Sequence, residues 1–255
     1  MSGLQALIFD VDGTLADTER DGHRVAFNQA FANAGLDWDW SIELYGKLLA
    51  VTGGKERMRF YLDTYRPDVR MEDATIAELH KAKNQYYAQL LERGGIPLRP
   101  GVKRLLEAAR AANLRLAIST TTTPENVFAL LANNIDANWF EVIAAGDIVP
   151  KKKPAPDIYE YVLAQMNLPA ANCLAFEDSE NGLISALGAG IETIVTINDY
   201  TQNHRFVGVA SALPNRAKLV LSDLGEPDRP CQIIAGDTQG ATHVDIPLLT
   251  RLLAS

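Results

Sequence analysis

The sequence predicts an α/β fold: a doubly wound parallel sheet with a small helical cap domain inserted after the first strand. Three observations carry this. Beyond residue 98, short apolar runs alternate with stretches of helical spacing, the pattern of strand–helix units in a parallel sheet. One more apolar run, residues 4–9, stands apart near the start. Between them, residues 16–97 show almost only helical periodicity. The core is therefore residues 1–15 and 98–255, and the cap is residues 16–97.

The run 4–9 reads as a buried strand, ended by Asp10-Val11-Asp12-Gly13-Thr14, where the glycine breaks extended backbone. In the inserted block, Val25, Ala26, Ala30 and Phe31 share a helix face. Ile42, Leu44, Tyr45, Leu48 and Leu49 predict a second helix, and Met58, Tyr61 and Leu62 a third. Ile76, Leu79, Tyr86, Tyr87, Leu90 and Leu91 predict a fourth. Gly94-Gly95 and Pro97 then punctuate the chain before Arg99-Pro100-Gly101. Val102, Leu105, Leu106 and Ala109 keep helical spacing, and residues 114–120, 142–145, 173–176 and 192–197 read as strands. Helical segments at 124–132, 156–166 and 183–187 lie between those strands. After Gly225 the pattern is less regular, and residues 244–253 form a closing amphipathic helix.

Composition narrows the function classes. Hydrophobic residues at 47% and charged residues at 22% are ordinary for a globular enzyme. A net charge of −8 argues against a nucleic-acid binder, which needs a basic face, but allows small anionic substrates. Two cysteines, Cys173 and Cys231, give no disulfide framework and predict reduced thiols. No basic, apolar targeting region opens the sequence, and no apolar run approaches the ~18–20 residues of a membrane span. The expectation is a cytoplasmic monomer acting on a small molecule, with neither nucleic acid nor membrane as partner.

Four strand ends carry polar motifs. If extended geometry persists to Asp12, Asp10 and Asp12 project to one side, and two such carboxylates suit a divalent cation and acid–base work. A calcium loop is excluded: its twelfth position is Asp21 rather than glutamate, and Leu15 and Ala16 occupy ligand positions. A solvated turn is the simpler alternative. The second strand ends in Ser119-Thr120-Thr121-Thr122-Thr123-Pro124-Glu125, where Pro124 at a first helical position, Thr123 before it and the Thr122-x-x-Glu125 spacing mark a helix start. A hydroxyl beside free helix N–H groups makes an oxyanion cradle, although threonines also serve simply as caps. Lys151-Lys152-Lys153 precedes Pro154 and Pro156, which stiffen the chain and fit Lys153 aimed inward; a solvated lysine run is the alternative. Phe176-Glu177-Asp178-Ser179 adds two acids, which could equally complement a helix dipole.

Taken together, these motifs resemble the haloacid dehalogenase superfamily of aspartyl-phosphate phosphohydrolases, across roughly residues 4–200. The helical insert resembles that family's first-type cap. The resemblance implies that Asp10 attacks phosphorus, that Asp12 is the general acid and base, and that Thr120, Thr121 and Lys153 hold phosphoryl oxygens. It further implies Mg²⁺ on the Asp10 and Asp178 carboxylates and the Asp12 backbone carbonyl, with Glu177 close by. Asp12 favours phosphate esters over halides, because the dehalogenase branch lacks this second acid.

In the cap, Thr52-Gly53-Gly54-Lys55-Glu56-Arg57 offers close backbone approach and two cations, suited to a second phosphate. Glu19 and His23, one helical turn apart, are candidates for sugar hydroxyls. These segments, with Ala16-Asp17-Thr18-Glu19 and Ala145-Gly146-Asp147, narrow the resemblance to CbbY-type phosphatases. That subgroup implies hydrolysis of xylulose 1,5-bisphosphate, a Rubisco inhibitor, to xylulose 5-phosphate for the Calvin cycle. A β-phosphoglucomutase-like mutase is the alternative, since it shares every catalytic residue.

Overall fold

The apolar runs become strands of one sheet: β1 (Ala6–Phe9), β2 (Arg115–Thr120), β3 (Val142–Ala145), β4 (Cys173–Glu177), β5 (Glu192–Thr196), β6 (Leu219–Leu221) and β7 (Ile233–Gly236). Their order is β3-β2-β1-β4-β5-β6-β7, with every pairing parallel except β6–β7. This computed structural model describes residues 3–51, 53–204, 206 and 217–254. Its contacts divide the chain into two compact units, 1–17 with 97–255 and 18–96.

Strands β1 and β4 are buried along their whole length, as parallel strands covered on both faces must be. Helices α5 (Val102–Ala111), α6 (Pro124–Ala132), α7 (Asp157–Met166) and α8 (Glu180–Gly188) alternate with the strands. The chain steps outward from β1 through β2 to β3, then returns to place β4 on the other side of β1. That reversal makes the C-terminal ends of β1 and β4 the switch point where open α/β sheets bind ligands. Register levels those ends. Phe9 pairs with both Ile118 and Phe176, and the Phe9 and Phe176 rings stack at 4.5 Å. Asp10, Ser119 and Glu177 each follow one of these residues and so emerge side by side.

Three local expectations are corrected. Strands β6 and β7 were not foreseen, because three- and four-residue runs, the latter half-exposed at Ile233 and Ile234, carry too little period. The helix starts where Thr123 and Pro124 mark it, but Thr122 and Glu125 are not its N-cap and third helical residue. Pro124 sets the first helical position, so Thr123 becomes the N-cap, and the Thr122 N–H donates instead to Thr120 Oγ1 at 3.2 Å. In the second unit, Val25 and Ile42 are exposed, because Ala26, Phe27, Ala30 and Phe31 define the inner face of the first helix and Tyr45 and Leu48 that of the second.

That unit contains α1 (Arg24–Asn33), α2 (Ile42–Leu48), α3 (Gly54–Tyr65) and α4 (Asp73–Glu92) around an aromatic core. Trp40 is the centre, with ring centroids at 4.8 Å from both Phe27 and Phe31 and 5.3 Å from Tyr61. A π-type turn, Glu19–His23, precedes α1 where a regular helical turn is expected. Thr52 lies outside the described residues.

The less regular tail closes with α9 (Ile246–Ala254), whose Leu248, Leu249 and Leu252 are buried. It is tied to α5 through Arg104, which pairs with Glu226 at 2.9 Å. The same guanidinium donates to the Val244 and Gly225 carbonyls at 3.0 and 2.7 Å. Arg104→Ala leaves these acceptors without their donor, a loss of about 1–3 kcal/mol. Thermal melts should show a lower Tm, and limited proteolysis should cut first beyond Gly225; an unchanged cleavage pattern would refute this anchoring role.

Candidate active site

Lys153 occupies the meeting point of three strand ends. Its ammonium donates to Asp10 Oδ1 at 2.8 Å, to the Ser119 carbonyl at 2.8 Å and to Glu177 Oε1 at 2.6 Å. These three bonds match the donor capacity of an ammonium. The Tyr159 hydroxyl, from α7, donates to the same Glu177 oxygen at 2.6 Å, and the Lys153 ammonium lies 5.2 Å from the Tyr159 ring centre. Burial alone lowers the Lys153 pKa, but the Asp10 and Glu177 charges outweigh it and raise it above the ordinary lysine value.

Asp10, Glu177 and Asp178 are buried and place one carboxylate oxygen each within 4.8 Å of the others. Burial drives Asp10 well above the usual carboxylate range, with Lys153 opposing and Glu177 and Asp178 adding repulsion. Asp178 is pushed up to about 7 by burial and then by Glu177, against the hydrogen bond from Asn198. Three buried acids against one lysine leave an excess of negative charge that a divalent cation neutralises, so the donor set fits Mg²⁺.

The turn begins at Gly13, while Asp12 is still bridge-paired to Ala16. The N–H groups of Leu15 and Ala16 bond back to the Val11 carbonyl at 2.9 and 3.4 Å, curling the loop. The acid group joins Asp10 to Glu177 and Asp178, and the Asp12 charge also adds to the repulsion on Asp10. The curl needs Gly13, with φ of +81°; a Cβ there would lie 2.3 Å from Asp178 Oδ2. On β2, the buried Thr120 accepts from the Thr122 N–H, whereas Thr121 is exposed.

The cap candidates fall into two groups. Tyr45 donates to Glu19 Oε2 at 2.6 Å, and the buried Arg57 donates to Tyr45 Oη at 2.8 Å. His23 is buried, stacked on Tyr87 at 4.0 Å, with its Nδ1 at 2.9 Å from Lys83 Nζ. Lys55 is exposed. Glu19 and His23 therefore take different partners, and Arg57 is packed inward while Lys55 faces solvent.

Sequence reasoning missed Tyr159, Lys83, Arg99 and Asn198. Lys83 was readable, since it continues the buried stripe Ile76, Leu79, Tyr87 and Leu91. Arg99 is buried, donates to the Gly13 carbonyl and to the Ile197 and Ser222 carbonyls at 2.5 and 2.9 Å, and pairs with Asp17 at 3.3 Å. Nothing in local spacing announces such long-range partners.

Residues 4–190 match the haloacid dehalogenase-like hydrolase family. Protein CbbY of Rhodobacter capsulatus is 51% identical over 215 residues, 83% of this chain and 93% of that protein. A plasmid CbbY of Cupriavidus necator is 47% identical over 247 residues, 94% of this chain and 92% of that protein. The crystal structure of CbbY from Rhodobacter sphaeroides with phosphate superposes with a TM-score of 0.71 at 43% identity, covering 81% of this chain and 92% of that one. A variant of that protein, in complex with xylulose 1,5-bisphosphate, gives 0.74 at 42% identity over 87% and 96%. On this ground, added to the strand-end geometry, the chain belongs to the haloacid dehalogenase-like hydrolases and, within them, to the CbbY group.

Proposed function

We propose that this enzyme is a Mg²⁺-dependent phosphatase that converts xylulose 1,5-bisphosphate to xylulose 5-phosphate and phosphate, clearing a Rubisco inhibitor in a reducing cytoplasm. The chemistry is carried by one observation: Asp10 is held by Lys153 beside the Glu177–Asp178 pair at the switch point of the sheet. The substrate follows from the relative bound to xylulose 1,5-bisphosphate.

In this reading, a carboxylate oxygen of Asp10 attacks phosphorus as the ester P–O bond breaks, and Asp12 gives its proton to the departing sugar oxygen. Asp12 then takes a proton from water, whose oxygen attacks the aspartyl phosphate and frees Asp10 with release of phosphate. Lys153 fixes the rotation of Asp10 through Oδ1, and its charge offsets that of the phosphoryl oxygens that Thr120 and Thr121 receive. Asp10, Asp178 and the Asp12 carbonyl, with Glu177 alongside, would hold Mg²⁺, which would supply charge neutralisation to the phosphoryl group. Glu177 also serves as the counter-ion that keeps Lys153 in place. Glu19, His23, Lys55 and Arg57 serve the sugar and its far phosphate from the cap.

Phosphate release with Mg²⁺ tests this directly. Xylulose 1,5-bisphosphate should turn over rapidly beside ribulose 1,5-bisphosphate and β-glucose 1-phosphate, and excess chelator should abolish it. Conversion of β-glucose 1-phosphate to glucose 6-phosphate with little free phosphate would instead establish a mutase. Asp10→Asn should lower kcat by at least about a thousand-fold. Lys153→Met should cost roughly 10²–10³ in kcat, and Lys153→Arg should not rescue it, because a planar guanidinium cannot reproduce three converging ammonium bonds. Near-normal turnover in the arginine variant would refute that geometry.

The acid cluster also fixes a pH response. The folded pKa of Asp178 lies at about 7, above its unfolded value, so the folded state binds the extra proton. Its contribution to stability is full below about pH 4 and lost as pH rises through about 7. In excess chelator, Tm should fall across this window more steeply in the wild type than in Asp178→Asn, and Mg²⁺ should raise Tm most above pH 7. Parallel curves for the two proteins would contradict the raised Asp178 pKa.

A further inference from the structure

Asn198, just beyond β5, reaches the acid cluster from a strand end that none of the four motifs occupies. Its amide orientation is fixed by its own turn. Oδ1 accepts from the Tyr200 N–H at 2.9 Å, and the Asn198 N–H donates to Thr201 Oγ1 at 3.0 Å. The N–H groups of Thr201 and Gln202 close on the Asn198 carbonyl at 3.1 Å each. With Oδ1 facing a donor, Nδ2 must face the other way, where it donates to Asp178 Oδ2 at 2.6 Å. It also lies 3.5 Å from the Gly13 carbonyl oxygen.

An amide nitrogen only donates and a carboxylate only accepts, so this bond engages one of the two oxygens of Asp178. Gly13 lies against this same bond, since a Cβ there would stand 2.3 Å from Oδ2 and 2.5 Å from Asn198 Nδ2. One acceptor site of Oδ2 is thus committed to Asn198, which disfavours Asp178 engaging a cation through both oxygens at once. The distinction matters chemically. Mg²⁺ is small, demands six ligands in a near-ideal octahedron and keeps several waters. Ca²⁺ accepts six to eight oxygens and commonly takes a carboxylate through both of its oxygens.

We propose that Asn198 is a positioning residue that holds Asp178 Oδ2, biases Asp178 toward engaging a cation through one oxygen and thereby favours Mg²⁺ over Ca²⁺ at the site. This rests on the acid cluster being the cation site. Asn198 is not a ligand and touches no reacting atom; it acts through Asp178.

Isothermal titration calorimetry with Mg²⁺ alone and Ca²⁺ alone tests this without turnover. Removing an outer hydrogen-bond partner of a metal ligand typically costs ~10–100-fold in affinity. In Asn198→Ala, the freed oxygen compensates Ca²⁺ and not Mg²⁺, so the Ca²⁺-to-Mg²⁺ Kd ratio should fall about tenfold. Asn198→Asp keeps the acceptor for Tyr200 N–H, loses the donor and should shift the ratio the same way; it decides the matter if the alanine variant fails to fold. Thr201→Val loosens the turn while retaining the amide and should keep the wild-type ratio. An unchanged ratio in the Asn198 variants overturns the proposal, as does an equal shift in Thr201→Val, which would assign the effect to the loop. A wild type that gives no heat with Mg²⁺ overturns the cation reading of the cluster, and this inference with it.

Discussion

The contact on which the site depends is the ammonium of Lys153 between three strand ends. Asp10 belongs to the β1 end, Ser119 to β2 and Glu177 to β4, so one nitrogen joins three elements far apart in sequence. Removing it would leave buried carboxylates facing one another with no cation between them, a more costly state than an empty apolar cavity. The lysine is therefore structural and chemical at once. The same positive charge that permits three acids to crowd together also lies where phosphoryl oxygens gather in the proposed reaction.

The core was legible where strands are fully buried. Runs such as Leu7-Ile8-Phe9 and Leu174-Ala175-Phe176 end abruptly in polar residues, and parallel topology puts such ends on one edge. Register was not legible, because it is set by packing between distant segments; only the structure levels Phe9 with Ile118 and Phe176. Asp10, Lys153, Glu177 and Asp178 converge for that reason. The curl of the following loop about the Val11 carbonyl lies beyond what alternation along a strand can tell.

Helical periodicity was less informative in the cap. It found four helices there, but the presence of Val25 and Ile42 on the periodic lists did not bury them, since large aromatic side chains determine which face turns inward. Lys83 illustrates the converse. Its position on the apolar stripe of α4 is a pattern violation, and such violations mark places where a charge has been given a specific partner, here His23. Asn198 left no comparable trace, because an asparagine after a strand looks like any turn former.

The two edges of the sheet have a consequence for how the protein behaves among copies of itself. Strands β3 and β7 are four residues each, and β7 pairs with β6 through a register irregularity at Val220 and Leu221. Short borders offer little unpaired backbone on which another chain could lay a strand. The apolar Ile233 and Ile234 at one border would otherwise invite such growth. A sheet whose interior is rich in β-forming sequence is thus capped by geometry against extension, which lets the buried strands stay strongly apolar without becoming templates for fibrils.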